Sequence, residues 1–575
     1  MTGWKSARIP ALTRRLWIVL LVVAVCVLCV SPVIMLIAGA FRTSPPGLPG
    51  EWSTAPFLEA YADPATYSTF GSSVVLAVST KLISTALAVY FCWVVARTTS
   101  PLRGLVTPIM LFVFAMPTLF FALSWGMLGN PDVGLLNKPF EALFGMSPIN
   151  VNSWWGLIMV IALKSTASSY ILLIGPFLAL SRSLEEASFV SGASRMRTFF
   201  RINVPVLAPA ITGILILGFV VGLSSLDAAL IIGVPAGITV FPTHLFGHLY
   251  NSATPDYAQA SALSLLLVAI TVVLVWAQGR VLGKRQFTTV TGKAYQQEPW
   301  DIGPWRHVCV AAIVVYGLLA MVLPLAQLIL GSLQPVFGLY GALTFDNYRE
   351  LFAEPDIVSA FQATLTVSIV GGLIAMLLAV ALQYVVRRHP GRLTRVITFA
   401  TWLPWALPGI VLGLAMSWAY LSIPGLREIY GTVWILMIAL IVTVTPIAGR
   451  VAEGAIVQLS HELEESARTS GATSLRALVG IVGRLILPSF ISGWFVTALV
   501  ISGSFDVPIL MSTSTNRTIP VVVYELYTQG RTPLAAAAFC VLLAVVAVIA
   551  AVGLLYRRRM LKVRARSVST GQSTR

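Results

Sequence analysis

Charge is scarce in this chain: Asp, Glu, Lys and Arg make up 10% of its 575 residues, against about 25% in a soluble domain. Histidine and cysteine are rarer still, five of each. All the cysteines (Cys26, Cys29, Cys92, Cys309, Cys540) fall inside apolar runs, which argues against a disulfide framework or a thiolate metal site. No His/Cys cluster has ligand spacing, and no metalloprotease helix signature occurs. The Gly283-Lys284 and Gly292-Lys293 pairs lack the upstream glycine and following Ser/Thr of a phosphate-binding loop. Catalytic residues, metal ligands and cofactors are therefore not expected, and the chain is not read as an enzyme. What it has in abundance is apolar residues, 57% of the total, with mean hydropathy +0.86. It reads as an all-α polytopic membrane protein.

Runs long enough to span a bilayer lie near 17–40, 71–96, 104–128, 154–181, 205–234 and 259–282. A second set lies near 307–333, 359–386, 394–420, 432–458, 486–512 and 534–556. The first run follows a basic segment and precedes Ala38-Gly39-Ala40, but it is too long for a signal peptide and reads as an uncleaved span. With about twelve spans, every arginine-rich loop falls on one side. These include 97–103, the loop around Arg195, Arg197 and Arg201, the stretch 280–306, and 387–395. The positive-inside rule makes that side cytoplasmic and places both termini there, in a multi-pass membrane protein. The net charge of +16 is thus a topology signal in contact with lipid, and nucleic acid is not an expected partner.

The spans form two parallel six-helix repeats. Ile83–Arg97 matches Ile374–Arg388, and Ala115-Met116-Pro117 matches Ala406-Leu407-Pro408, both 291 residues on. Downstream the offset is 279, placing a 12-residue shortening after the third span of the second half. We expect a first half at 1–282, a linker at 283–304, a second half at 305–560 and a basic tail at 561–575.

A polar segment recurs in register, once per half. Glu185-Glu186-Ala187-Ser188 leads to Ser191-Gly192-Ala193, and Glu464-Glu465-Ser466-Ala467 leads to Ser470-Gly471-Ala472. Ser183-x-x-Glu186 has the form of a capping box, and each glycine stands where a short helix would end with φ > 0. This package resembles the EAA loop of type I ABC-importer permeases, here at 183–205 and 462–488. In the first copy Ile202 and Pro205 follow the pattern, with Ser188 and Val204 as mild departures. In the second Ile481 fits, but Gly483 and Arg484 replace the Leu-Pro pair. The resemblance covers nearly the whole chain and implies two permease halves fused in one polypeptide. It further implies two separate ABC ATPase subunits carrying ATP and Mg, an extracytoplasmic solute-binding protein, and alternating access. Glu185, Glu186, Ala187, Gly192, Glu464, Glu465, Ala467 and Gly471 would then couple to the ATPase. The stretch Gly233–Phe241 is similar to the iron(III)-type branch, whose relatives also carry thiamine or phosphonates.

Four charges lie in or near the spans. Lys81 and Lys164 each stand about ten residues into a helix, roughly 15 Å deep, and read either as structural lysines or as lining for an anionic solute. Asp227 and Asp506, 279 residues apart, read either as exposed helix-end carboxylates near the external mouth or as part of a gate. The expected solute is ferric iron or a small anion such as a phosphonate, with thiamine or a polyamine as alternatives within the class. A twelve-span secondary transporter is the rival reading. It would need paired midplane carboxylates where this chain has lysines.

Overall fold

The computed structural model describes residues 19–180, 183–250, 255–282, 300–388, 391–457, 480 and 483–549. The basic tail, most of the linker and the second polar segment, with Glu464, Glu465, Ala467 and Gly471, lie outside the described residues.

In chain order the helices are α1 Val19–Gly39, α2 Ala55–Ala62, α3 Pro64–Arg97, α4 Arg103–Ala115, α5 Thr118–Leu128, α6 Lys138–Phe144, α7 Trp154–Ala179 and α8 Ser183–Val190. Next come α9 Arg195–Leu223, α10 Ala229–Ala236, α11 Phe241–Tyr250, α12 Tyr257–Arg280, α13 Trp305–Ser332, α14 Asp346–Ala353 and α15 Pro355–Arg388. The chain continues through α16 Arg392–Ala406, α17 Gly409–Ser422, α18 Val433–Val457, α19 Arg484–Ser502, α20 Asp506–Met511, α21 Ile519–Thr528 and α22 Thr532–Ile549. Among the described residues the only extended pairings are two isolated bridges.

Ten of these helices are long and apolar enough to cross a membrane, and three bent pairs could add one span each. The bends are where the structure departs from the expected continuous runs. The α4/α5 pair bends by 98° and α16/α17 by 119°. Met116, forced out of the helical region by the following proline, sits at φ −68°, ψ 125°, so the run 104–128 breaks there. The matching Leu407-Pro408 lies at the break in 394–420. The run expected at 205–234 also divides: α9 ends at Leu223, and α10/α11 form a third pair bent by 90°.

Compact units do not follow the sequence halves. One unit holds Ile37–Asn347 with Ala406–Val411, so it includes α13. The other holds α1 up to Leu36, Tyr348–Trp405 and the chain from Leu412 onward.

In the unit containing α2–α13, α3 is the hub, packed on α7 and α9. Asp63 caps its start by accepting from Ala65 N at 2.8 Å, with Pro64 at the first helical position. Its buried side is lined by Thr66, Thr69, Ser73, Ala77, Thr80, Ser84 and Ala88, small residues that let helices approach closely where hydrophobicity drives nothing between them. Several of these hydroxyls bond their own backbone one turn back, as Thr80 does to Leu76 O at 2.7 Å. In the other unit α15, α18 and α19 pack around Met376, Ala379, Ala448 and Ala452. Two bonds tie α19 to α15: Trp494 Nε1 donates to Ile369 O at 2.9 Å, and Thr497 Oγ1 to Gly372 O at 3.2 Å.

Each unit has a tryptophan end and an arginine-rich end. Trp155 and Trp434, matched residues that open α7 and α18, are 80% and 60% exposed, as befits side chains at the lipid headgroups. At that end matched glutamates are clipped differently: Glu59 accepts from Gln259 at 2.9 Å, whereas Glu350 and Glu354 both accept from Arg531.

Candidate coupling site at the arginine-rich end

The first polar segment forms a short helix that ends at its predicted glycine. α8 runs Ser183–Val190 and closes in a Schellman motif. Ala193 N donates to Ser188 O at 3.1 Å, Gly192 N to Phe189 O at 2.9 Å, and Gly192 takes φ +80°. No side-chain atom crowds Gly192, so its backbone conformation alone demands glycine. Ser194 then starts α9 by accepting from Arg197 N at 3.3 Å. Ser188 Oγ lies 2.9 Å from Thr198 Oγ1, bracing the turn.

The sequence groups Glu185 with Glu186 as partner-facing; the structure separates them. Glu185 is fully buried, its Oε1 2.9 Å from Arg97 Nε and 3.0 Å from Asn203 Nδ2. Arg97 also donates through Nη2 to Leu180 O at 2.8 Å. One guanidinium and one carboxylate thereby join the ends of α3 and α7 to α8 and α9. Such a pair holds only while both charges are present, because either alone is a buried uncompensated ion. Glu186 and Ala187 are turned outward. Around them Val190 is 90% exposed, and Met196 and Phe200 are also open, interleaved with exposed Arg195, Arg197 and Arg201. Together they form an exposed apolar patch rimmed by charge, the kind of surface that meets a protein or a membrane.

Three of the four charges in or near the spans, Lys81, Lys164 and Asp227, lie in the same unit as α8. Lys81 is buried, with Nζ donating to Ser165 Oγ at 2.9 Å. Its stem lies so close to α9 that a Cβ on Gly218 would fall 2.9 Å from Lys81 Cδ. Lys164, the residue before Ser165 on α7, donates to Val113 O at 2.5 Å and Phe114 O at 3.1 Å. Those carbonyls belong to the last turn of α4, at the break of the α4/α5 span, where no intrahelical donor exists. Lys164 is thus a cation at a helix C-terminus, its ammonium already engaged by protein. Half-buried Asp227, just before α10, is within electrostatic reach of it rather than an isolated carboxylate at a helix end. Asp506 likewise opens α20 in the other unit, but Lys164 is matched there by Thr443, which bonds its own Ala439 O at 2.9 Å. Sequence reasoning missed the structural role of Arg97, which it counted only as a topology charge. The in-register match of Arg97 with Arg388 was the available signal.

Two segments of the chain, 84–286 and 368–561, match the family described as "Binding-protein-dependent transport system inner membrane component". Among curated proteins the chain is similar to the ferric transport system permease protein FbpB of Actinobacillus pleuropneumoniae, 26% identical over 65% of this chain and 54% of that protein. It is equally similar to a putative ferric transport system permease protein of Haemophilus influenzae, 26% identical over 65% of this chain and 58% of the relative. A shorter likeness, 31% identical over 28% of this chain and 57% of the relative, is to the trehalose/maltose transport system permease protein MalF of Thermococcus litoralis. The matched region spans a little over half the length of these relatives. With both repeats matched, the chain belongs to the family of binding-protein-dependent transport system inner membrane components.

Proposed function

We propose that this chain forms the membrane pathway of an ATP-driven importer and couples to separate ATPase subunits through α8 and its register-matched counterpart around Glu465. The carrying observation is the division of labour on α8. Glu185 anchors the helix inward on Arg97, while Glu186, Ala187 and Val190 are left facing outward. A helix rooted in the ends of α3, α7 and α9 can pass a push on its outer face into three membrane helices at once. The arginine-rich end is then cytoplasmic, and a solute-binding protein delivers solute to the tryptophan end. Alternating access follows as the packed helices rock between two arrangements.

Ferric iron is the favoured solute. The relatives matched over 65% of the chain are named for ferric transport, whereas the likeness to the trehalose/maltose permease covers 28%. Iron would pass as cargo; among the described residues no group of His, Cys, Asp and Glu is arranged as a metal site. Reconstitution into vesicles with the ATPase and binding protein tests the proposal. ATP-dependent uptake of ferric iron is the expected result. Uptake driven by an ion gradient without ATP would overturn it.

A further inference from the structure

Trp300, near the end of the linker expected at 283–304, is the first residue described after Leu282, and it packs against α8. Its N–H donates to Arg97 O at 2.7 Å, and its carbonyl accepts from Thr99 N at 3.0 Å and Thr99 Oγ1 at 3.2 Å. A short parallel bridge joins Thr98 to Trp300. Trp300 is 5% exposed, and its indole meets the Phe189 ring edge-on, with centroids 5.1 Å apart and planes at 74°. Phe189 lies one turn after Glu185, so both project from the same face of α8. The contacts close a ring. Arg97 holds Glu185 through its side chain, α8 carries Phe189, Phe189 packs on Trp300, and Trp300 returns to the main chain of Arg97.

The other end of this clasp is a membrane helix. Only Asp301–Pro304 separate Trp300 from α13, with Ile302 buried and Asp301 Oδ1 accepting from Gly303 N at 3.0 Å. α13 runs against α4 and α5, the broken span, and Tyr316 on it donates to Leu163 O at 3.0 Å, next to Lys164. The end of the linker, immediately ahead of the second repeat, therefore grips the α8 helix of the first.

We propose that Trp300 is a positioning residue of the coupling site, fixing α8 to the start of α13 so that displacement of α8 reaches the broken span through α13. This rests on the reading of α8 as an ATPase-coupling helix. The test compares wild-type chain with Trp300→Ala, Trp300→Leu and Trp300→Phe, each reconstituted with the ATPase and binding protein. Uptake and ATP hydrolysis are measured in the same vesicles. An edge-on aromatic pair adds roughly 0.5–1.5 kcal/mol beyond burial, so uptake per ATP hydrolysed should fall several-fold, up to about tenfold, in W300A and W300L. W300F, which restores an aromatic ring, should recover most of it. A purely structural role would lower the amount of complex and leave the ratio alone. A wild-type ratio in W300A overturns the inference. Should W300A fail to accumulate, equal ratios in W300L and W300F overturn it. A wild-type complex without ATP-driven uptake removes the underlying reading and this inference together, an outcome distinct from the first two.

Discussion

Arg97 and Glu185 meet at 2.9 Å with 2% and 0% of their side chains exposed, the most deeply buried ion pair among the described residues. The pair is a joint: the arginine ends α3, and the glutamate lies on the inner face of α8. Removing one partner of such a pair costs roughly 3–5 kcal/mol, whereas replacing both by apolar groups of similar size can be nearly neutral. Glu185→Gln and Arg97→Met should each lower the apparent melting temperature and the amount of protein in the membrane. The Arg97→Met/Glu185→Leu double variant should regain most of the stability. Additive losses in the double variant would show that the two charges are not coupled.

Gly192 is placed by its backbone rather than by its neighbours. At φ +80° with open space around it, a Cβ introduces strain of about 1–2 kcal/mol. Gly192→Ala should therefore weaken the turn and reduce uptake in part. Gly192→Pro, which cannot adopt positive φ and loses the N–H donated to Phe189 O, should abolish uptake while the protein still inserts. Wild-type uptake in the proline variant would remove α8 from the coupling path.

Much of this was legible in the chain. Scarce charge, the twelve apolar runs and the recurrent Glu…Gly package led to the membrane class, the two repeats and the short helix with its glycine end. The breaks in the spans were less so. Ala115-Met116-Pro117 and Ala406-Leu407-Pro408 were visible as matched motifs, but a proline inside a membrane helix can kink or divide it, and hydropathy is the same in either case. Adjacent glutamates could not be told apart by type, since on a helix Glu185 and Glu186 point about 100° apart and only the packing decides which faces in. Trp300 carried no local signal at all: its meaning depends on residues some 200 positions earlier in the chain.

Glu186 offers the complementary test to Glu185. It is exposed, and surface changes away from packed features usually fall within about 0.5 kcal/mol. Glu186→Lys should leave melting and membrane level unchanged while abolishing ATPase association, read by co-purification of the ATPase subunit. Retained association and uptake in this variant would argue that the exposed face of α8 is not the docking surface.

Lys164 separates structural from solute-binding roles within the membrane. Its ammonium serves Val113 O and Phe114 O at the end of α4, and hydrogen bonds to a charged group contribute about 1.5–3 kcal/mol. Lys164→Met keeps the length of the stem and removes both bonds, so α4 should lose its tether to α7 and the bend to α5 should loosen. The matched Thr443 bonds only its own helix, and Thr443→Ala should be nearly silent. Capping alters the transporter whether or not solute is present. Uptake by Lys164→Met should accordingly show a lowered maximal rate with the half-saturating solute concentration unchanged. A shift in half-saturation at unchanged maximal rate would mean that the ammonium leaves the carbonyls to meet solute during transport, and that Lys164 belongs to the pathway rather than to its scaffold.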